Sequence, residues 1–189
     1  MAIVLALSGS PSPASRTARL AELAAADLRA RGHRVHTLAL RDLPAGPLLA
    51  AQGTDPAIAR AVRLVAEADA LVVATPIYQA AYSGLLKVFL DLLPRHALDG
   101  KTVLPLATGG SAAHVLALDY ALRPVLTTLG AQVAQGRYVL DHELGATADG
   151  PALPAADSAD ALADAVARFA SALPRLRGGT WNPALLSSA

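Results

Sequence analysis

The chain has 189 residues, a formal net charge of +1 at pH 7, one methionine and no cysteine. Hydrophobic residues make up 53% of it and charged residues only 16%, which is typical of a folded globular protein and excludes a disordered one. The balanced charge argues against nucleic acid and membranes as partners, and the lack of cysteine excludes disulfides and thiolate chemistry, so we expect a cytoplasmic protein.

Strands and helices alternate along the chain. In order, the first half is predicted to contain a strand over 3–7, a helix that ends at Gly32, a strand over 35–40, a helix that begins at Asp55-Pro56, a strand over 70–74 and a helix over 83–93. The second half is predicted to contain a strand over 103–107, a helix over 112–129, a strand over 133–140, a loop over 145–154 and a helix that begins at Asp157. In this last helix, the residues predicted to face the core are Leu162, Val166, Phe169 and Leu173.

This order of elements predicts an α/β fold. Parallel strands joined by helices form a sheet that is covered by helices on both faces. Five strands favour a doubly wound, flavodoxin-like sheet over the six-stranded dinucleotide-binding fold. We therefore expect a single domain over residues 1–175, followed by an irregular C-terminal tail over 176–189.

Two of the predicted helices, over 84–93 and 112–129, are apolar on more than one side. A helix that only covers its own sheet should carry polar residues on its outer face. We therefore expect these two helices to pack against further copies of the chain, in a dimer or a tetramer. A helix pair buried deep within one chain is the alternative.

Pro124 falls inside the second of these helices. It cannot donate a hydrogen bond to the carbonyl of Tyr120, and its ring crowds that carbonyl. A kink or a π-helical bulge is therefore expected there. Two separate helices that meet near Arg123 are the alternative.

The first strand runs into a serine-rich loop that carries one arginine, and a helix follows. Residues 8–17 read SGSPSPASRT. The loop places backbone N–H groups, hydroxyls and a guanidinium near a helix N-terminus, and these groups together can bind a phosphate monoester. It has neither the GxGxxG pattern of dinucleotide binders nor the P-loop pattern. An ordinary capped helix, with Ser15 as the cap, is the alternative.

Two further loops follow the third and fourth strands, at the edge where open parallel sheets bind ligands. Residues 75–84 include Tyr78 and Tyr82, whose rings can flank a flat heterocycle, and simple packing of the loop by these tyrosines is the alternative. Residues 108–111 read TGGS, whose N–H groups can approach the carbonyl edge of a pyrimidine-like ring, and a glycine turn is the alternative. No metal-ligand spacing and no Ser/His/Asp set is visible, so in an enzyme a cofactor would perform the chemistry.

Three stretches of the chain resemble the NAD(P)H-dependent FMN reductases of the flavodoxin-like superfamily, in particular the alkanesulfonate-assimilation type. They are SGSPSPASRTARL at residues 8–20, ADALVVATPIYQAAYSGLLKVFLDLLP at 68–94 and GKTVLPLATGGSAAHVLALDYALRPVLTTLGA at 100–131. Residues beyond 131 resemble the family only weakly.

The resemblance implies an enzyme that transfers hydride from NADPH, or NADH, to FMN without an acid or base side chain. It would supply reduced FMN to a separate flavin-dependent monooxygenase that releases sulfite from organosulfonates. A single methionine and no cysteine fit a protein made when sulfur is scarce, and compositional drift is the alternative. Two other functions stay open on this fold: a quinone, azo or chromate reductase that keeps FMN bound, and an electron carrier without turnover.

The resemblance also implies the site residues. The FMN phosphate would be held by Ser8, Ser10, Ser15, Arg16 and Thr17. The isoalloxazine ring would be lined by Pro76, Ile77, Tyr78, Thr108, Gly109, Gly110 and Ser111. Tyr120 matches a family tyrosine that is associated with a π-helical insertion at a tetramer interface. No metal ligand and no catalytic side chain is implied.

Overall fold

The computed structural model describes residues 1–144 and 156–173. Its strands are β1 (Ile3–Ser8), β2 (Arg34–Ala39), β3 (Ala70–Tyr78), β4 (Ala81–Tyr82), β5 (Thr102–Gly109), β6 (Gln132–Val133) and β7 (Arg137–Leu140). Its α-helices are α1 (Arg16–Ala30), α2 (Ala45–Leu49), α3 (Pro56–Glu67), α4 (Gly84–Asp91), α5 (Arg123–Thr128) and α6 (Ala156–Ala172). Short 3₁₀ turns cover Leu40–Asp42, Ala112–His114 and Asp141–Leu144, and a π-helix covers Leu118–Leu122. The predicted loop over 145–154 and the predicted tail over 176–189 lie outside the described residues.

The strands form a parallel sheet in the order β2-β1-β3-β5-β6, and β7 continues beyond β6 along the same side of β5. Val4 of β1 lies opposite Val35 of β2 on one side and opposite Ala70 of β3 on the other. The observed order is the flavodoxin-like order that the sequence predicts. It makes neighbours of the segments that follow β1, β3 and β5, at the C-terminal edge of the sheet.

Helices cover both faces of this sheet because both faces of its central strands are apolar. Leu5 and Leu7 join a core with side chains of α3 and α4, whereas Val4 and Ala6 join a second core with side chains of α1 and α6. The residues of the last predicted helix that were expected to face the core are all buried, three of them in α6 and one just after it: Leu162, Val166, Phe169 and Leu173. No helix in the described ranges is long and apolar enough to cross a membrane.

Three helices begin or end at the residues that the sequence indicates. Asp55 Oδ1 accepts hydrogen bonds from the first N–H groups of α3, at 2.9 and 3.2 Å, and Pro56 is the first residue of that helix. Ser83 caps α4 by accepting from the N–H of Leu86 at 3.1 Å. Gly32 follows α1 with a φ of +85°, which glycine adopts without strain.

The predicted strands over 70–74 and 103–107 are too short at their C-terminal ends. β3 continues to Tyr78 and β5 continues to Gly109. The parallel pairing between them persists as far as Pro76, which lies opposite Thr108. Parts of both segments that were predicted as loops are therefore strand, and they are held more rigidly than loops would be.

The strand predicted over 133–140 is divided into β6 and β7, and Pro105 of β5 explains the break. The registers of β6 and β7 against β5 differ by one residue, so the strand bulges between them. Pro105 faces the bulge and has no N–H to donate to the carbonyl of Ala134. The Arg123 guanidinium donates to that carbonyl instead, at 3.3 Å, and to the carbonyl of Val133 at 3.0 Å.

The helix predicted over 112–129 is not continuous. A 3₁₀ turn opens the segment, and the π-helix and α5 follow. The N–H of Arg123 bonds to the carbonyl of Leu118, five residues earlier, which is the π-helical pattern. Pro124 follows at once and lies in the first turn of α5, where its missing N–H costs little. The π-helical bulge expected from Pro124 is therefore confirmed, and the single long helix is wrong.

Candidate functional site

Hydrogen bonds join the three predicted ligand-binding segments at the C-terminal edge of the sheet. The hydroxyl oxygens of Thr17 and Thr108 lie 2.6 Å apart and link the start of α1 to the end of β5. Ser83 Oγ donates to the carbonyl of Gly9 at 2.6 Å, which links the start of α4 to the loop after β1. The N–H of Gly9 bonds to the carbonyl of Ala74 in β3 at 2.8 Å. Segments that are distant in the sequence thus form one site.

The serine-rich loop ends at the N-terminus of α1. Ser15 is the cap, and its Oγ accepts from the N–H of Ala18 at 2.9 Å. Arg16 is the first residue of the helix, is exposed, and makes no ion pair with any residue that the structure describes. Ser10 is buried and accepts from the N–H of Ser12 at 3.3 Å. The loop therefore combines a capped helix N-terminus, which is electropositive, with an unpaired guanidinium.

Ser8 differs from the other candidates of this loop in the state of its hydroxyl. It is the last residue of β1 and is only 5% exposed. Its Oγ has no hydrogen-bond partner in the described part of the chain. It lines a cavity of about 240 Å³ between α1 and β2, together with Thr37 and Asp42. A buried hydroxyl without a partner is costly, so a polar group of a ligand or a water would stabilise it.

The second segment is a β-hairpin rather than a loop. Pro76 and Ile77 are buried in β3, whereas Tyr78 at the tip is 51% exposed. The chain reverses through Gln79 and Ala80, whose φ angles are +49° and +62°. Two consecutive left-handed residues make a type I′ turn, which usually requires glycine or asparagine, so this tip is strained. The hairpin presents an aromatic ring and a rigid backbone at the rim of the site.

The third segment is packed against Tyr138 of β7. A Cβ atom added at Gly109 would overlap the Tyr138 hydroxyl, so any side chain at this position would have to displace the tyrosine. The same hydroxyl donates to the carbonyl of Ser111 at 2.8 Å, and Ser111 Oγ accepts from the N–H of Ala113 at 3.2 Å. Burial raises the pKa of Tyr138 above its usual value, so its hydroxyl stays protonated as a donor near neutral pH. The hydrogen bond from Tyr138 therefore holds the segment after Gly109 in place.

Sequence reasoning missed Arg41 and Tyr138 as parts of this site. Arg41 Nη1 donates to the carbonyls of Ser12 and Pro13, at 2.6 and 3.4 Å. Arg41 follows β2 at the same edge of the sheet as the three segments, and this position is the signal that could have found it. Tyr138 has no comparable signal, because its role depends on the register between β5 and β7.

The assembled site offers hydroxyls, backbone amides and guanidinium groups. Among residues 1–144 and 156–173, no three His, Asp or Glu side chains lie together as metal ligands. Groups of the kinds present can bind an anion at one end and hold a planar ring at the other.

A family model described as NADPH-dependent FMN reductase matches residues 2–145. An FMN reductase (NADPH) of Pseudomonas putida strain KT2440 is 44% identical over 193 residues, which cover 98% of each chain. An FMN reductase (NADPH) of Escherichia coli K12 is 50% identical over 142 residues, which cover 75% of this chain and 74% of that one. The NADH-dependent FMN reductase SfnE of Pseudomonas putida is 40% identical over 131 residues, 68% of this chain and 70% of that one.

Solved structures agree with these relatives. A crystal structure of the apo form of an NADH:FMN oxidoreductase (EMOB) superposes with a TM-score of 0.85 at 41% identity, over 98% of this chain and 94% of that one. An oxidised flavodoxin 1 from Bacillus cereus superposes with a TM-score of 0.62 at 16% identity, over 91% of this chain and 99% of that one, which supports the fold alone. The predicted flavodoxin-like fold is confirmed.

Proposed function

The chain belongs to the NADPH-dependent FMN reductase family, and from this we propose that it supplies reduced FMN to a separate flavin-dependent monooxygenase in sulfur assimilation. It is an oxidoreductase that uses FMN with NADPH or NADH as the electron donor. The family resemblance drawn from the sequence is confirmed. The partner monooxygenase, its alkanesulfonate substrate and a cytoplasmic location belong to the proposal.

The FMN phosphate is proposed to bind at the N-terminus of α1. The observation that carries this assignment is Arg16, an exposed guanidinium without an ion pair in the described residues. A phosphate dianion complements both this charge and the electropositive end of the helix. Ser10, Ser15 and Thr17 would contribute hydroxyls from the same loop and helix start, and the buried Ser8 hydroxyl, which has no partner in the described residues, is available to a further polar group of the ligand.

The isoalloxazine ring is proposed to lie at the ends of β3 and β5. Its lining would be Pro76, Ile77, Tyr78, Thr108, Gly109, Gly110 and Ser111. FMN, when bound there, supplies the ring that accepts hydride and passes electrons on. The residues of the chain bind the ring, orient it and limit the access of water. The hydrogen bond from the Tyr138 hydroxyl to the carbonyl of Ser111 supports this assignment, since it holds the backbone at the ring end of the site in place.

Exchange of FMN with solvent is supported by the exposure of the site. Arg16 at the phosphate end is exposed, and Tyr78 at the ring end is 51% exposed. A flavin that serves as a substrate must leave after reduction, and an open site permits this. The sulfur-assimilation role is supported by the composition, because the chain contains no cysteine and a single methionine.

Steady-state oxidation of NADPH and NADH with FMN, FAD and riboflavin as acceptors tests the proposal. We expect kcat/KM for FMN to exceed that for riboflavin by about tenfold or more, because riboflavin lacks the charged group that Arg16 would bind. Reduced FMN released by the chain should sustain a flavin-dependent alkanesulfonate monooxygenase. Flavin that stays bound through ultrafiltration, together with rapid quinone turnover, would favour the quinone, azo or chromate reductase instead.

Copies of the chain are further proposed to associate through the segments over 84–93 and 112–129. Three side chains in the second segment are exposed although they are apolar or aromatic: Val115 at 47%, Leu116 at 57% and Tyr120 at 79%. A groove of about 320 Å³, lined mainly by apolar surface, lies between α4 and α5. Tyr120→Ala should lower the mass measured by light scattering. An unchanged mass would contradict this interface.

A further inference from the structure

Arg41 reaches from the 3₁₀ turn after β2 to the middle of the serine-rich loop. Its Nη1 donates to the carbonyl of Ser12 at 2.6 Å and to the carbonyl of Pro13 at 3.4 Å. From these contacts we propose that Arg41 is a positioning residue for the phosphate-binding loop and a second cation of the anion site. The proposal rests on the assignment of the FMN phosphate to the N-terminus of α1.

The loop needs a tether from outside because it has few hydrogen bonds of its own. Pro11 and Pro13 have no N–H, and residues 9–15 form neither helix nor strand. Arg41 Nη1 supplies a donor to the carbonyls of two consecutive residues of the loop. The guanidinium thus fixes the turn between Ser10 and Ser15, two of the proposed phosphate ligands.

Fixing these carbonyls also sets the direction of an N–H group. In a trans peptide the carbonyl and the following N–H point in opposite directions. With the carbonyl of Pro13 held towards Arg41, the N–H of Ala14 is turned to the opposite side of the loop. A loop that is held in one orientation loses less conformational entropy when it binds an anion.

The charge of Arg41 adds to the positive potential of the site. Its one carboxylate neighbour in the described residues, Asp42, lies 3.6 Å from Nε and is 71% exposed, so water and salt screen that pairing. The Arg41 side chain is itself only 29% exposed, and its loop partners are neutral carbonyls. A partly shielded cation acts on a phosphate more strongly than a fully solvated cation at the same distance. Arg41 and Arg16 would therefore both favour a phosphorylated flavin.

The test compares FMN with riboflavin in Arg41→Gln, Arg41→Lys and a control variant, Arg31→Gln. Arg31 lies at the other end of α1, pairs with Asp27 at 2.8 Å and is 38% exposed, so it matches Arg41 in charge and exposure. We expect Arg41→Gln to lower the kcat/KM ratio of FMN to riboflavin by about tenfold, because it removes both a positive charge and the charge-assisted hydrogen bonds that hold the loop. Arg41→Lys keeps the charge but not the planar fork, and should lower the ratio by about threefold. Arg31→Gln should leave it unchanged.

Each outcome decides the question. If the wild-type chain prefers FMN and Arg41→Gln keeps that preference, the role of Arg41 is overturned while the phosphate site at α1 stands. If the wild-type chain shows no preference for FMN, both are overturned. Equal losses with FMN and riboflavin would assign Arg41 a general structural role and would also overturn the proposal. If Arg41→Gln does not fold, as judged by thermal unfolding, an unchanged ratio in Arg41→Lys is the contradicting result.

Discussion

The hydroxyls of Thr17 and Thr108 form a buried hydrogen bond of 2.6 Å between residues that are 91 positions apart in the sequence. Each residue is only 2% exposed. Thr17 lies at the proposed phosphate end of the site, and Thr108 lies at the proposed ring end. The contact therefore couples the two ends through the protein interior.

Replacing one partner of this pair should cost more than replacing both. Thr108→Val leaves the Thr17 hydroxyl buried without a partner, so the free energy of unfolding should fall by about 1–3 kcal/mol. In Thr17→Val/Thr108→Val both positions become apolar, and most of that loss should be recovered. Urea unfolding of the two single variants and the double variant measures this. If the free energy of unfolding of the double variant fell by the sum of the two single losses, the hydrogen bond between the two hydroxyls would not be what links these residues.

Loss of the Arg16 charge should affect FMN far more than the pyridine nucleotide. Arg16→Ala removes the cation at the helix N-terminus, and we expect KM for FMN to rise about tenfold or more, with KM for NADPH nearly unchanged. Arg29→Ala is a matched control, because Arg29 lies in the last turn of the same helix and pairs with Glu22. Equal increases for FMN and NADPH in Arg16→Ala would count against the phosphate assignment.

A methyl group at Gly109 should cost less stability when the Tyr138 hydroxyl is removed. Gly109→Ala places a Cβ onto that hydroxyl and should destabilise the fold by about 1–3 kcal/mol. Tyr138→Phe in the same chain removes the overlapping atom and should recover part of the loss. Gly110→Ala is the comparison for stability, because the nearest atom to its Cβ would be 4.0 Å away. Chemical unfolding of the three variants tests this, and a loss in Gly109→Ala that Tyr138→Phe does not reduce would contradict it.

The contribution of Ser158 to stability should depend on pH. Ser158 Oγ, in the first turn of α6, donates to Glu143 at 2.7 Å, and this bond is the main reason that the pKa of Glu143 lies below its ordinary value of 4.5. A lowered carboxyl pKa stabilises the fold above the unfolded-state value, and that stability is lost as the pH falls through the folded-state value. Ser158→Ala should therefore destabilise the chain at pH 7 and much less near pH 3. A destabilisation of equal size at both pH values would rule out this linkage.

Much of the fold follows from local patterns in the sequence. The order of strands and helices, the cap at Asp55 and the π-helical bulge before Pro124 all depend on residues that are close together in the chain. The prediction is wrong where the structure depends on contacts between residues that are distant in the sequence. The bulge between β6 and β7 depends on Pro105 of β5. The strand ends at Tyr78 and Gly109 depend on the pairing between β3 and β5.

The candidate site divides in the same way. The serine-rich loop could be found because its hydroxyls and Arg16 are contiguous with the start of a helix. Arg41 reaches the site from the turn after β2, and Tyr138 from β7, and their hydrogen bonds to Ser12 and Ser111 depend on the folded sheet. Periodicity and composition carry no information about such contacts.

A crystal structure of the chain with FMN is the most direct test of the central claim. The account predicts that the phosphate group will lie at the N-terminus of α1, within hydrogen-bond distance of Arg16 and the serine hydroxyls of the loop. Density for FMN at another place, with that loop free of the phosphate, would contradict it.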